Sequence, residues 1–333
     1  IFLYFNGVFL LWNLCGSILN NFSVKNEIAQ SNIFLTVILL INFIENLPFK
    51  LYFNFVIEEK FGFNKQTLMN FLTDQLKKNV FVIMLVIPII SGLIKIIKWK
   101  GDSFFLYAGV FVVTALLIIL MLYPDFIAPL FDNFKLMNEC ILKDRISELA
   151  SKVNFPSFKI YIVEGSKKSS HSNAYFVGLF KTRRIVLYDT LVGHLIKNNE
   201  NKEEFEDTVA LEDDQCTKEH AERRFFKVNT DEILSVLAHE LGHWKHAHLY
   251  KALIISIAQI FLQFYAFSFL YKWPFIYEAF GFKESMPVLI GMFISFGMLF
   301  TPLNVVDELF STWLSRRFER QADEIRKSRL SLL

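Results

Sequence analysis

The stretch Phe104–Tyr123 reads FFLYAGVFVVTALLIILMLY and carries no charged side chain. A helical crossing of a bilayer core takes about 20 mostly apolar residues. This stretch is long enough to make one, and it sets the fold class as a mainly α, multi-span transmembrane helical bundle. Working outward, segments of the same kind are Ile1–Leu19, Ser31–Leu51, Val80–Ile97, Leu253–Leu270 and Met286–Leu303. Asn42, Glu45, Asn46 and Pro48 interrupt the Ser31 segment, and polar groups at membrane depth usually face a bundle interior or a wet cavity. Pro88 and Pro302 predict kinks.

Composition agrees. A mean hydropathy of +0.36, with 53% apolar residues and 38 Phe in 333 residues, does not suit a soluble enzyme. Net charge is +2 with no basic stripe, which argues against a nucleic-acid partner. Cys15, Cys140 and Cys216 show neither CxxC spacing nor a disulfide framework, as expected of a reducing compartment. The apolar start lacks the basic region and cleavage site of a signal peptide, so it reads as a truncated N-terminus.

With every span counted, the connections alternate between two sides. One side receives residues 52–79, the long 124–252 segment and the C-terminal tail. Lys60, Lys65, Lys77, Lys78, Arg316, Arg317, Arg320, Arg326 and Arg329 favour it, so the positive-inside rule makes it cytosolic. The organisation expected is spans in 1–123, an extramembrane segment 124–250, two spans in 251–306 and a C-terminal helical segment 307–333. Within 124–250, Met137–Val153 predicts an amphipathic helix. Lys159–Glu164, Asn173–Val177 and Arg184–Tyr188 predict strands of a small sheet. The acidic tract 197–224 predicts a disordered insert.

Inside that segment, residues 239–243 read His-Glu-Leu-Gly-His. On a helix, His239 and His243 share one face and can turn ring nitrogens toward one ion, with Glu240 reaching a water beside it. Two imidazoles and a carboxylate base are the working core of a zinc hydrolase. Composition gives an accidental match a chance of roughly 1%. Asn229 and Glu232 predict the N-cap of this helix and its reciprocal partner.

A catalytic zinc takes a third protein ligand. His246 lies two turns from His239, about 10.5 Å along the axis, which is too far to share its ion. His248 is placed lower still, both reading as solvated residues at the membrane edge or as supports of the ligands. Glu319 lies in Ser315–Asp323 at helical spacing, with Asp323 four residues on and able to accept the other N–H of a ligand histidine. Spacing alone weighs that reading evenly against an exposed, salt-bridged helix.

Further blocks are Leu47–Phe49, Phe55–Lys60, Gly62–Leu68, Asp125–Asp132, Val163–Phe176 and Arg184–Thr190. Together with Asn229–His246 and Ser315–Asp323, they resemble the type I CAAX prenyl endopeptidases, multi-span zinc metalloproteases of the endoplasmic reticulum and nuclear envelope. The resemblance implies one Zn2+ per chain held by His239, His243 and Glu319, with Glu240 as catalytic base and Asp323 supporting a ligand. It implies a helical ring around a wet chamber, closed by a metalloprotease domain on the cytosolic or nuclear side of the membrane. The implied reaction removes the aaX tripeptide from prenylated CAAX proteins. The resemblance also favours substrate contact by Asn173, Ala174 and Tyr175 at a strand edge, where an extended peptide adds as a further strand. Against that family the chain counts one N-terminal helix fewer and ends soon after Asp323. A quality-control membrane protease and an inactive scaffold are the competing readings; an intact His-Glu-x-x-His argues against the scaffold. The sequence leaves oligomeric state and prenyl preference open.

Overall fold

The computed structural model describes residues 6–24, 26–155, 159–178, 183–192 and 230–330. The expected N-cap Asn229 and the acidic tract 197–224 lie outside the described residues. The chain divides into two compact units, the first comprising Ile1–Ile57, Thr67–Ile119 and Lys251–Trp313. The second comprises Glu58–Gln66, Leu120–Tyr250 and Leu314–Leu333.

The first unit is helical: α1 (Gly7–Asn21), α2 (Glu27–Tyr52), α3 (Leu68–Lys100) and α4 (Phe104–Leu122) from the N-terminal part, with the short α8 (Pro274–Glu278) and α9 (Val288–Ile294) from the later part. Asn26 starts α2 by accepting from the Ile28 N–H, and Thr67 starts α3 by accepting from the Asn70 N–H. Trp12, Phe34, Ile94, Phe104, Phe267 and Tyr277 are buried in its core. The outward faces stay apolar, with Leu106, Val110 and Ile118 half exposed or more. Such a surface is stable only with lipid as its solvent.

Among the described residues, three helices have the length and composition to cross a membrane, or four if one bent pair counts as a span. They are Glu27–Glu58, the helical run Leu68–Leu130 and His248–Leu270; the bent pair is Val288–Leu299 with Thr301–Ser328. The run Leu68–Leu130 holds two of the expected spans, separated at Gly101, whose φ of 54° suits glycine. Of the expected span Ile1–Leu19, residues 1–5 lie outside the described residues, and the described part forms the 15-residue α1.

The second unit carries the sheet. Strands β1 (Phe134–Leu136), β2 (Lys159–Val163), β3 (Ala174–Val177) and β4 (Arg184–Tyr188) lie in the order β1-β2-β4-β3. β2 and β4 run parallel; β1 and β3 pair antiparallel at either side. The three expected strands are present within a residue of their expected bounds, and β1 was not foreseen, being three residues long with a lysine at its centre. The expected helix is α5 (Ile141–Lys152), beginning four residues later than its pattern suggested. Its buried Leu142, Ile146 and Leu149 share a core with Ile185 and Leu187 of β4. The same core takes Ile233, Leu234, Leu237 and Leu241 of α6 (Thr230–Lys245). That i, i+4, i+8 stripe fixes which face of α6 is turned from the core, and both motif histidines lie on that other face.

Loop 58–66 is held to segment 164–171 of the same unit. The Lys65 N–H donates to Lys168 and the Ser170 N–H to Phe63. His171 Nε2 lies 2.9 Å from Glu58 Oε2, with the ring stacked on Phe63 at 4.3 Å. These contacts give His171 a structural role in holding the loop.

Candidate metal centre

Helix α6 and the end of α10 (Thr301–Leu330) approach closely where the motif glycine lies. A Cβ on Gly242 would lie 2.8 Å from Ala322 Cα and 2.9 Å from the Ala322 carbonyl oxygen. Only glycine permits this approach without displacing one backbone, and the approach brings Glu319 to the histidines.

His239 Nε2 and His243 Nε2 face each other at 3.2 Å. Glu319 Oε2 lies 3.1 Å from His239 Nε2, and Glu319 Oε1 lies 3.5 Å from His243 Nε2. Ligands about 2.0–2.1 Å from a tetrahedral zinc are separated by about 3.3 Å, so these spacings fit the edges of such a site. Protonation supports the same conclusion. His239 Nδ1 lies 3.0 Å from Asp323 Oδ1; a carboxylate only accepts, so Nδ1 carries the proton and Nε2 presents a lone pair. Donor atoms gathered at this distance share one centre that a cation can occupy. The donor set of two imidazoles and a carboxylate fits zinc.

Burial pushes the Glu240 carboxyl above its ordinary range, and the Glu319 charge adds to the rise. Burial also holds His243 below its ordinary value, the Glu319 charge opposing it. A neutral ring is the form that binds metal. A cavity of about 210 Å³ runs beside Glu240 and His243, lined also by Phe176, Arg183 and Trp244. The Arg183 guanidinium stands 5.6 Å over the Trp244 ring.

Among the described strands β3 is an edge of the sheet. The Tyr188 N–H donates to the Asn173 carbonyl. Antiparallel alternation then makes Tyr175 and Val186 the next hydrogen-bonded pair. The main-chain groups of Ala174 and Phe176 therefore turn away from β4, and the Ala174 N–H is taken by Asn173 Oδ1 at 2.8 Å. Of the sequence candidates, Ala174 offers its carbonyl to the open edge, and Tyr175 faces inward with its main chain. Phe176, which sequence reasoning did not single out, offers both groups.

Two more residues were missed as definite partners. His248 is 4% exposed, and its Nδ1 lies 3.0 Å from His243 Nδ1. Its Nε2 lies 2.9 Å from Gln321 Oε1. Helical spacing gave no signal for this, because Ala247 (φ 53°) breaks the chain between α6 and α7 (His248–Leu270). His246 stacks on His248 at 5.5 Å and stands outside the donor cluster.

Comparison with known proteins divides the chain along its length. Residues 1–133 match the family model described as CAAX prenyl protease N-terminal, five membrane helices. Residues 138–330 match peptidase family M48. The chain is 43% identical over 331 residues to the CAAX prenyl protease 1 homolog of Mus musculus, covering 98% of this chain and 70% of that protein. It is 34% identical over 337 residues to CAAX prenyl protease 1 of Saccharomyces cerevisiae, covering 95% and 67%. The crystal structure of S. mikatae Ste24p superposes with a TM-score of 0.82 at 33% identity, covering 98% of this chain and 72% of that one.

Proposed function

The chain belongs to peptidase family M48, in its CAAX prenyl protease branch, and from this multi-pass membrane metalloprotease framework we propose how it acts. It is a zinc metalloendopeptidase that releases the aaX tripeptide from prenylated CAAX proteins. The observation that carries this reading is the convergence of His239, His243 and Glu319 beside Glu240. The first three would hold one Zn2+ per chain, which would supply Lewis acidity toward water and the scissile carbonyl. Asp323 keeps the His239 Nε2 lone pair directed into the site. Glu240 takes the proton from the attacking water and returns it to the leaving amine.

The substrate binds extended along β3, its main chain pairing with Phe176 and the Ala174 carbonyl, Asn173 and Tyr175 flanking them. Side chains beyond the scissile bond enter the cavity between Phe176 and Trp244. The prenyl chain stays in an apolar setting among the spans, so lipid is a working partner. The spans occupy 1–123 and 251–306, with the catalytic parts 124–250 and 307–333 on the cytosolic or nuclear side. The home membrane is the endoplasmic reticulum or the inner nuclear membrane.

The test uses the full chain in bilayer discs with a farnesylated CAAX peptide and its unprenylated twin. Zinc near one per chain and release of the tripeptide from the farnesylated peptide, abolished by Glu240→Gln, is the expected result. Zinc without cleavage would overturn the substrate; no zinc would overturn the centre.

A further inference from the structure

We infer that His248 is a positioning residue for His243, with Gln321 fixing which of its nitrogens carries the proton; this rests on the metal centre proposed above. The argument is proton bookkeeping along a chain of contacts. The Gln321 carbonyl oxygen can only accept, so His248 Nε2, 2.9 Å away, carries the N–H. A neutral imidazole has one such proton, which leaves His248 Nδ1 with a bare lone pair. That atom faces His243 Nδ1 at 3.0 Å. Two lone pairs at this distance would repel, so His243 Nδ1 donates. The His243 Nε2 lone pair is thereby committed to the site, where it meets His239 Nε2 at 3.2 Å and Glu319 Oε1 at 3.5 Å.

The surroundings hold this arrangement rigid. His248 is nearly sealed from water, so solvent does not compete for its nitrogens. Its ring lies flat on Phe318, with centroids 4.0 Å apart and planes 12° apart. Phe318 directly precedes Glu319, and Gln321 and Asp323 follow within the next turn of the same helix. That one turn of α10 therefore supplies a donor of the cluster and the partners that set both histidines. The positive φ of Ala247 brings His248 back over His243 rather than a turn further along. The competing explanation is a core histidine kept for packing alone.

The variants separate the two. His248→Phe keeps the flat contact with Phe318 and removes the acceptor; Gln321→Met keeps the volume and removes the carbonyl; His248→Asn restores an acceptor. Zinc affinity of the full chain in bilayer discs is measured by competition with a calibrated chelator, beside the melting temperature of the metal-free protein. The expected result is an affinity loss of about 10–100-fold in His248→Phe, as is usual for partners of ligand histidines. The metal-free melting temperature stays unchanged, the loss in Gln321→Met is smaller, and His248→Asn recovers part of it. Wild-type affinity in Gln321→Met together with wild-type affinity or misfolding in His248→Phe overturns the inference. So does a fall in metal-free stability with affinity intact. A wild-type chain that takes up no zinc overturns the centre itself, and this inference with it.

Discussion

Glu240 and Glu319 are both glutamates within reach of the same two histidines, and their surroundings give them different work. Glu240 is drawn into low dielectric, which favours its protonated form. Glu319 is 53% exposed in its side chain and reaches both histidines with its two carboxylate oxygens. Exchanging each for its amide should therefore separate binding from turnover. Glu240→Gln should retain zinc at the wild-type level and lose about 10²–10⁴-fold in kcat, the usual scale of one acid–base group. Glu319→Gln should lose zinc first, with activity following occupancy; metal analysis beside initial rates reads both. Equal loss of zinc in the two variants would contradict the division. How much of this was legible differs by residue. His239, Glu240 and His243 could be read from spacing, because one helix turn carries the geometry. Glu319 lies 76 positions beyond His243, and spacing weighed it evenly against a salt-bridged surface until the wider resemblance was considered. His248 was placed among solvated or supporting residues, because helical periodicity carries no information across the break at Ala247.

At the scale of elements, the approach of α6 to α10 is set by Gly242 against Ala322. Spacing placed both segments on helices, yet no pattern in one helix names the partner its small residue meets. Gly242→Ala places a methyl group where two backbones already touch, and overpacking of this kind costs about 1–3 kcal/mol. It should lower the melting temperature and, by moving Glu319 off the histidines, lower zinc affinity too; a variant with unchanged zinc affinity would show that the helix spacing is slack. For the sheet, β4 was legible residue for residue because Ile185, Val186 and Leu187 form a continuous buried run. The edge position of β3 was expected only with the help of the wider resemblance, since sequence order conceals the spatial order β1-β2-β4-β3. The alternation along β3 leaves the main chain of Phe176 rather than Tyr175 on the open edge, which is where the proposed substrate pairing falls. A single N-methyl group on the substrate amide facing the Phe176 carbonyl should cost about tenfold in kcat/KM, the worth of one hydrogen bond. A scan of N-methylated peptides with no sensitive position would remove β3 as the docking edge.

At the scale of the whole molecule, the two compact units draw on different sources of stability. The first unit exposes apolar helical faces, and its folding depends on lipid or detergent. The second has an ordinary water-type core under a four-stranded sheet, and its α6 and α10 bring together three donor groups around one centre that a cation can occupy. Metal should therefore stabilise one unit selectively. A ligand at 100 times its dissociation constant adds about 2.7 kcal/mol to the state that binds it. Stripping zinc with a chelator should speed amide exchange in α6 and in residues 314–330 by up to about 100-fold, that free energy expressed as an opening equilibrium. Exchange in the cores of α2, α3 and α4 should not change, because no donor of the cluster lies on them. Exchange followed by mass spectrometry in bilayer discs, with and without chelator, reads both units in one sample. Uniform acceleration would mean that the units unfold together, and no acceleration in α6 would mean that the histidine–glutamate cluster stands without its ion.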